Sequence, residues 1–366
     1  MADPKLAQLA LTFLPRIGNT TLKSLVSYCG SPEKIFTTPK GKLEKIPGIG
    51  SIASKSILDN KQAFKKAEKA LAYCSKHQIK LLFYTDKDYP AYLKQLADGP
   101  SVIYLKGNVL PDNRKYISIV GTRNASKEGK QNVANIIAEL APYKPIIVSG
   151  LAYGIDIEAH KEALANNLTT YGIMATGIEK VYPSIHTKIA EKMLVKGGLL
   201  TEFPPHTNMS PSKFPERNRI IAGLSEATLV VEAGKKGGAL ITAYLARDYD
   251  REVFAIPGNL KNENAVGCNN IIKNNIAQLV SSGKDIAFYL GWETNNTVTK
   301  KRLALKQEDF SQEEWAILQL LNASELHIDE LSWKSQIQIG KLASILLNLE
   351  FKNIVVSLPG KKYRIK

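Results

Sequence analysis

The chain has 366 residues, 44% of them hydrophobic, a globular composition with room for two or three domains. Its 49 Lys and Arg against 34 Asp and Glu leave a formal charge of +15 and a pI near 9.4, which favours a polyanionic partner without choosing among nucleic acid, acidic lipid and plain solubility. Cys29, Cys74 and Cys268 are widely spaced with no CxxC, which indicates neither a disulfide framework nor a zinc knuckle; the short apolar stretch Leu6 to Leu14, interrupted by Gln8 and Thr12, does not read as a signal peptide, and without a long apolar run no membrane span is expected, so a cytoplasmic setting is the expectation.

Residues 1–75 read as a helical domain of SAM-like, helix-hairpin-helix type. Apolar positions recur at helical spacing, as in Leu6, Leu9, Ala10 and Phe13, then Leu22, Leu25 and Val26. Two glycine turns punctuate it, Leu14-Pro15-Arg16-Ile17-Gly18 and Ile46-Pro47-Gly48-Ile49-Gly50, each followed by a helical run with small residues and lysine. The charge excess is concentrated at this end, with 17 basic and 8 acidic side chains in residues 1–110.

Residues 76–291 form the second region, with 76–115 as an extension. From Tyr116 short β-branched runs alternate with helical patterns: Tyr116 to Val120, Pro145 to Ser149, Thr169 to Ala175, Ala227 to Glu232 and Glu252 to Ile256. Helices are expected to begin near Ser126, Ile155, Ser184, Pro215 and Leu240. This alternation predicts an α/β fold with a Rossmann-like, doubly wound parallel sheet. Residues 292–302 look like a polar linker, including Asn295, Asn296 and Thr297. In 303–366, helical patterns at Gln312 to Leu321, Ile328 to Ser332 and Ile339 to Phe351 precede Ile354 to Ser357, the turn Pro359-Gly360, and Tyr363 to Ile365. Three helices closed by a hairpin outline a winged helix.

Ligands of an open parallel sheet sit beyond the carboxyl ends of its strands. There the chain spends its glycines, in Gly121-Thr122-Arg123, in Ser149-Gly150-Leu151-Ala152-Tyr153-Gly154, and in Gly234-Lys235-Lys236-Gly237-Gly238. Glycine lets backbone N–H groups approach an anion, and a helix N-terminus adds roughly half a positive charge. Pro215-Glu216-Arg217-Asn218-Arg219 puts two arginines in the expected first turn of a helix whose apolar face is Ile220, Ile221 and Leu224, where the dipole disfavours cations unless an anion joins them. Phosphate is the favoured partner of Arg123, Arg217 and Arg219; the bland alternative is ion pairing with Glu202, Glu216 or Glu232. Lys235 and Lys236 are either phosphate ligands or solvated loop charges. Phe214 and Tyr153 are candidates for base stacking.

The first βα turn is not G-x-G-x-x-G, the second strand ends in Ser149 rather than an acid, and no P-loop motif occurs, so no nucleotide cofactor is expected. Asp156 and His160 stand one helical turn apart, but no third ligand or nucleophile accompanies them. A structural role for His160 is the expectation, with no metal and no catalysis.

These residues resemble the DNA-processing protein A (DprA/Smf) family. The carriers are Asp88-Tyr89-Pro90, Leu93, Asp98 and Pro100; Val120-Gly121-Thr122-Arg123; Ser149 through Asp156 with Ala159-His160; Thr176-Gly177 with Tyr182-Pro183; and Phe214 through Ser225. They continue with Val231-Glu232-Ala233, Leu240-Ile241-Thr242-Ala243, Arg251 through Gly258, and Gly267-Cys268-Asn269, in order over about 200 residues. The resemblance implies a DNA-binding Rossmann-like domain that forms a homodimer, protects incoming single-stranded DNA and helps load the RecA recombinase in natural transformation, without catalysis. The chain departs from the family where Ser-Gly-Ser-Leu is usual, reading Gly237-Gly238-Ala239-Leu240, and where Asp250 replaces a glycine; the first change removes two hydroxyls.

Pro47 through Lys55 resembles a helix-hairpin-helix, so Gly48, Gly50 and Lys55 are candidates for a secondary DNA contact, against a purely structural turn. The run Ile339 to Phe351 holds only Lys341 as a cation, with Lys352 just beyond, which favours an accessory or partner-binding role over reading a major groove. Two rivals stand beside single-strand binding: a nucleotide-processing enzyme with a Rossmann-like phosphate site, and a winged-helix regulator of one duplex sequence.

Overall fold

The computed structural model describes residues 4–111, 115–293, 307, 310–321, 325–352, 354–358 and 361–365. Most of the expected linker, and the turn Pro359-Gly360, lie outside them. The chain divides into two compact units, Met1–Asn295 and Asn296–Lys366.

The first unit opens with helices α1 (Pro4–Thr12), α2 (Asn19–Cys29), α3 (Pro32–Thr37), α4 (Lys40–Leu43), α5 (Ser51–Leu58) and α6 (Lys61–Lys76). The echo seen in sequence is also conformational. Arg16 and Gly48 both take positive φ, +63° and +82°, Ile17 and Ile49 are buried behind them, and Gly18 and Gly50 are the extended N-caps of α2 and α5. The two turns differ in surroundings. Asn19, at the start of α2, donates to Glu202 and accepts from Ser101, docking the first turn on the rest of the unit, whereas Gly48, Gly50 and Lys55 of the second turn are exposed.

The strands are β1 (Lys80–Phe83), β2 (Val102–Gly107), β3 (Tyr116–Val120), β4 (Ile146–Gly150), β5 (Thr170–Ile173), β6 (Gly198–Thr201), β7 (Ala227–Val230), β8 (Glu252–Ala255) and β9 (Gln278–Leu279). They form one sheet in the order β1-β2-β6-β5-β4-β3-β7-β8-β9, parallel from β6 to β9, with β1 and β2 antiparallel at one edge. All five residues of β3 and of β4 are buried, as expected of strands covered on both faces. Short helix α7 (Ala91–Lys94) joins β1 to β2, crossovers α8 (Lys127–Leu140), α9 (Ile155–Ala165), α10 (Thr187–Met193), α11 (Lys213–Leu224), α12 (Gly238–Asp248) and α13 (Val266–Lys273) follow, and α14 (Gly283–Tyr289) comes after the last strand.

Helices α8, α9 and α14 bury Val133, Ile137, Ile155 and Ile286 on one face, while α11, α12 and α13 bury Ile220, Leu224, Ala243 and Ile271 on the other. Each such aliphatic side chain removed from water contributes about 1.5–3 kcal/mol. The winding reverses after β6, where α11 carries the chain back past β5, β4 and β3 to lay β7 on the far side of β3. That topological switch point opens a crevice between the ends of β3 and β7. The α/β, Rossmann-like expectation holds.

The N-terminal helices share one apolar cluster with the sheet, in which Leu22, Ile57 and Cys74 join Val102, Tyr104 and Leu199. The second unit holds α15 (Gln312–Leu321), β10 (Leu326–His327), α16 (Ile328–Ser335), α17 (Ile339–Phe351), β11 (Val355–Leu358) and β12 (Lys362–Ile365), with an antiparallel sheet ordered β10-β12-β11 over a core of Leu318, Leu331, Leu342 and Leu346. This is the winged-helix outline.

Candidate nucleic-acid interface

At the switch point lies a cleft of about 690 Å³, lined by Gly121, Thr122, Arg123, Phe214, Arg217, Asn218, Lys236, Gly237 and Gly238 among the expected residues. A smaller neighbouring pocket adds Tyr153 and shares Arg123, Phe214 and Arg217. Asp156, Tyr182, Met209, Pro211, Ile241 and Thr242 line the cleft too and were not among the expected site residues. Of these, Asp156, Tyr182, Ile241 and Thr242 belonged to the quoted motifs, whereas nothing in the sequence pointed to Met209 and Pro211.

Arg217 is buried, with Nη1 donating to the Ile173 carbonyl and Nε to Asn218 Oδ1 at 3.1 Å. Asn218 Nδ2 donates in turn to Gly238 O at 3.2 Å, tying the guanidinium to the start of α12. Burial pushes the Arg217 guanidinium below its ordinary pKa, opposed by Asp156 and reinforced by the like charge of Arg123; a guanidinium nevertheless stays charged in proteins. Burial raises the Asp156 carboxyl, opposed chiefly by Arg217. Arg123 is exposed, and its guanidinium lies 5.3 Å from the centre of the Phe214 ring. Phe214 neighbours Tyr182 at 6.0 Å, and Tyr153 and Tyr182 are 50% and 42% exposed, so aromatic surface borders the cations at the cleft mouth.

The three strand-end helices are not equivalent anion sites. At α8 the place is taken, because the Glu232 carboxylate accepts from the backbone N–H of Ser126 at 3.0 Å and from its hydroxyl at 2.5 Å. The first turn of α9 carries its own acids, Asp156 and Glu158. The first turn of α12 has no acid, and a Cβ added at Gly237 would meet nothing within 4 Å. Its leading N–H groups and the positive end of its dipole therefore open onto the cleft, and among the described residues no carboxylate bonds to them, the one cleft-lining acid, Asp156, belonging to α9.

Several expected members are elsewhere. Ser149 is buried, its hydroxyl donating to Ile119 O at 2.6 Å. Gly150 is also inside: a Cβ there would lie 2.4 Å from Arg217 Nη1, so this glycine makes room for a guanidinium rather than for a phosphate. Gly121 is likewise tightly packed, its notional Cβ 2.5 Å from Ile155 Cγ1. Helix α11 begins at Lys213 rather than Pro215, which moves Arg217 and Arg219 beyond its first turn, out of reach of the dipole argument. Arg219 leaves the cleft altogether. Its guanidinium pairs with Glu202 and donates to Asp98 O, the bland alternative expected from sequence. Lys235 is exposed on the same loop as Lys236.

His160 is fully buried and bonded at both ring nitrogens, to Thr170 Oγ1 and Gly150 O, each at 2.7 Å. Because Gly150 O can only accept, Nε2 carries the proton, and burial lowers the pKa to about 4. Its role here is structural, as expected. Among the described residues no cluster of metal-ligating side chains occurs, no helix is long and apolar enough to cross a membrane, and the three cysteines are free thiols.

The family model for DNA recombination-mediator protein A matches residues 80–291, the whole sheet with its cleft. The chain belongs to that family. A second family model, the DprA winged helix domain, matches residues 303–361. The DNA processing protein DprA of Bacillus subtilis is 40% identical over 257 residues, 70% of this chain and 85% of the relative. Protein Smf of Escherichia coli is 30% identical over 82% of each chain. Among solved structures, DprA from Streptococcus pneumoniae superposes with a TM-score of 0.65 at 29% identity, covering 80% of this chain and 99% of that one. A structure describing the single-stranded DNA binding mode of DNA processing protein A from Helicobacter pylori gives 0.53 at 27% identity, covering 59% and 97%. The resemblance read from the motifs is thus borne out, and so is the winged helix.

Proposed function

We propose that the cleft holds the sugar-phosphate backbone of single-stranded DNA. The observation that carries the reading is the α12 N-terminus, free of carboxylates, opening into a cleft shared with Arg123 and Arg217. Lys236, Lys235 and the backbone of Gly237 and Gly238 supply further donors, Asn218 positions Arg217, and Thr122 flanks it. Tyr153, Tyr182 and Phe214 offer rings to unstacked bases, a contact tolerant of sequence. Binding is accordingly blind to sequence and sensitive to salt. The single-stranded DNA binding named for the Helicobacter pylori relative supports this assignment.

The wider role we propose is to protect incoming strands and help load the RecA recombinase, in the cytoplasm, in natural transformation; the recombination-mediator description of the family supports the recombination part of it. A homodimer fits the apolar surface near the last sheet edge, where Leu279 and Phe288 are 49% and 83% exposed. The proposed division keeps residues 1–75, 76–291, 292–302 and 303–366 as helical domain, DNA-binding domain, linker and winged helix, with Gly48, Gly50 and Lys55 as a secondary phosphate contact. An accessory winged helix is supported by Lys341 and Lys352, both held in ion pairs with Glu313 and Glu314. Binding rather than catalysis is supported by His160, whose nitrogens are both engaged.

The test is competition among single strands of different sequence, a duplex, and nucleoside monophosphates. Equal displacement by single strands, weak displacement by duplex and no turnover of nucleotide are expected; nucleotide cleavage with salt-insensitive oligonucleotide binding, or preference for one duplex sequence, overturns the reading.

A further inference from the structure

The loop after β6, residues 202–212, leads from the neighbourhood of α6 to the mouth of the cleft. On it His206 meets Tyr73 of α6 edge-on with ring centroids 4.8 Å apart, and Tyr73 lies 4.2 Å from His77, one turn further along. Both histidines are exposed and Tyr73 is half-buried. His206 is fixed through its backbone, with φ +62° and its N–H donating to Glu179 Oε1 at 3.0 Å. Three residues later Met209 lines the cleft, followed by Pro211 and Phe214. The end of β6 is three strands from the end of β3, roughly 14 Å along the rim, a separation of a few nucleotides.

Helix α6 continues this surface. Lys61, Lys65, Lys69 and Lys76 lie opposite the buried Ala63, Ala67, Ala70 and Cys74, with one acid, Glu68, at their edge, and Tyr73 and His77 border this side next to Lys66 and Lys69. Among the described residues no ion pair engages these lysines. Lys61, Lys65 and Lys69 stand four apart and repel one another, and the one acid beside them, Glu68, leaves the side strongly cationic. A polyanion lying along the face relieves the repulsion.

Resting on the cleft reading above, we infer that a strand held there continues past β5 and β6, stacks bases on His206, Tyr73 and His77, and lays its next phosphates along the lysine face of α6. The cleft is then the anchor of a longer track that runs onto the helical layer.

Titration with a short oligothymidylate of about six nucleotides and a long one of about twenty tests the track in the full-length protein. The exposed double variant Lys65→Gln/Lys69→Gln is expected to lower the log–log salt slope for the long oligomer by about 1.4, at about 0.7 per phosphate contact, and to leave the short one unchanged. Tyr73→Ala/His206→Ala is expected to weaken the long oligomer about tenfold and spare the short one. Wild-type binding of the long oligomer by both variants overturns the track. Arg123→Ala separates the two ideas. If it loses the short oligomer while the α6 variants behave as wild type, the cleft stands and the track falls; if it binds the short oligomer normally, the cleft fails as anchor and the track as drawn falls with it.

Discussion

Arg217 and Arg219 stand two residues apart on one helix, yet two residues turn an α-helix by about 200°, and the two guanidiniums end in unlike surroundings. Arg219 meets Glu202, whose carboxylate also accepts from Asn19, beside Asp98 and Tyr249, which bond each other at 2.7 Å. Arg217 meets a carbonyl and an amide oxygen, and is in no ion pair among the described residues. One charge is spent holding α11 to the N-terminal layer; the other is offset only by the nearby buried Asp156 carboxylate, with which it makes no direct ion pair, and it lines the cleft. An arginine-rich motif therefore does not announce a binding site, because the availability of a carboxylate decides which role each cation takes.

The largest expected effect lies on the structural side of this comparison. Arg219→Ala leaves the Glu202 carboxylate buried with Oε1 already lacking a partner, and should cost about 3–5 kcal/mol in denaturant unfolding while the folded protein keeps its oligonucleotide affinity. A small stability loss joined to a large affinity loss would reverse the two roles.

Next comes His160, which holds the Gly150 carbonyl under Arg217. Its pKa of about 4 lies below the ordinary 6.5, so the unfolded chain binds the extra proton first. Stability is full above pH 6.5 and declines toward pH 4, by up to roughly 3 kcal/mol from this group. In His160→Gln the slope of unfolding free energy across that window should flatten; an unchanged slope assigns the acid sensitivity elsewhere.

A smaller and more selective effect is expected at Gly150. An added methyl would lie 2.4 Å from Arg217 Nη1 and 2.5 Å from Asp156 Oδ2, both buried, so Gly150→Ala should displace the guanidinium, lower oligonucleotide affinity by about tenfold, the worth of one charge-assisted hydrogen bond, and cost about 1–3 kcal/mol of stability. Gly237→Ala faces open space and should leave stability unchanged. Equal behaviour of the two variants would remove the distinction between a glycine that admits a guanidinium and one that borders the ligand.

The sequence carried the parallel sheet from β3 to β8 except for β6, because β-branched runs such as Ile146 to Val148 alternate with helices of clear period. Strand β6 escaped because Gly198 opens it and only Leu199, Leu200 and Thr201 follow, too few to show a period. Strands β1 and β2 escaped because they pair antiparallel at an edge that the β/α alternation does not announce. At the site, Arg123, Arg217, Phe214 and the Gly234 to Gly238 loop were legible from their place at strand ends. What was not legible was partnership: that Glu232 caps α8, that Gly150 lies beneath a guanidinium, and that Arg219 faces Glu202 across 17 positions of sequence.

The most direct measurement is a salt titration of single-strand binding in wild type, Arg217→Gln and Arg219→Gln. The Arg217 variant should lower the log–log slope by about 0.7 and the Arg219 variant should leave it unchanged. An unchanged slope in Arg217→Gln, or the loss appearing in Arg219→Gln instead, would contradict the assignment of the cleft.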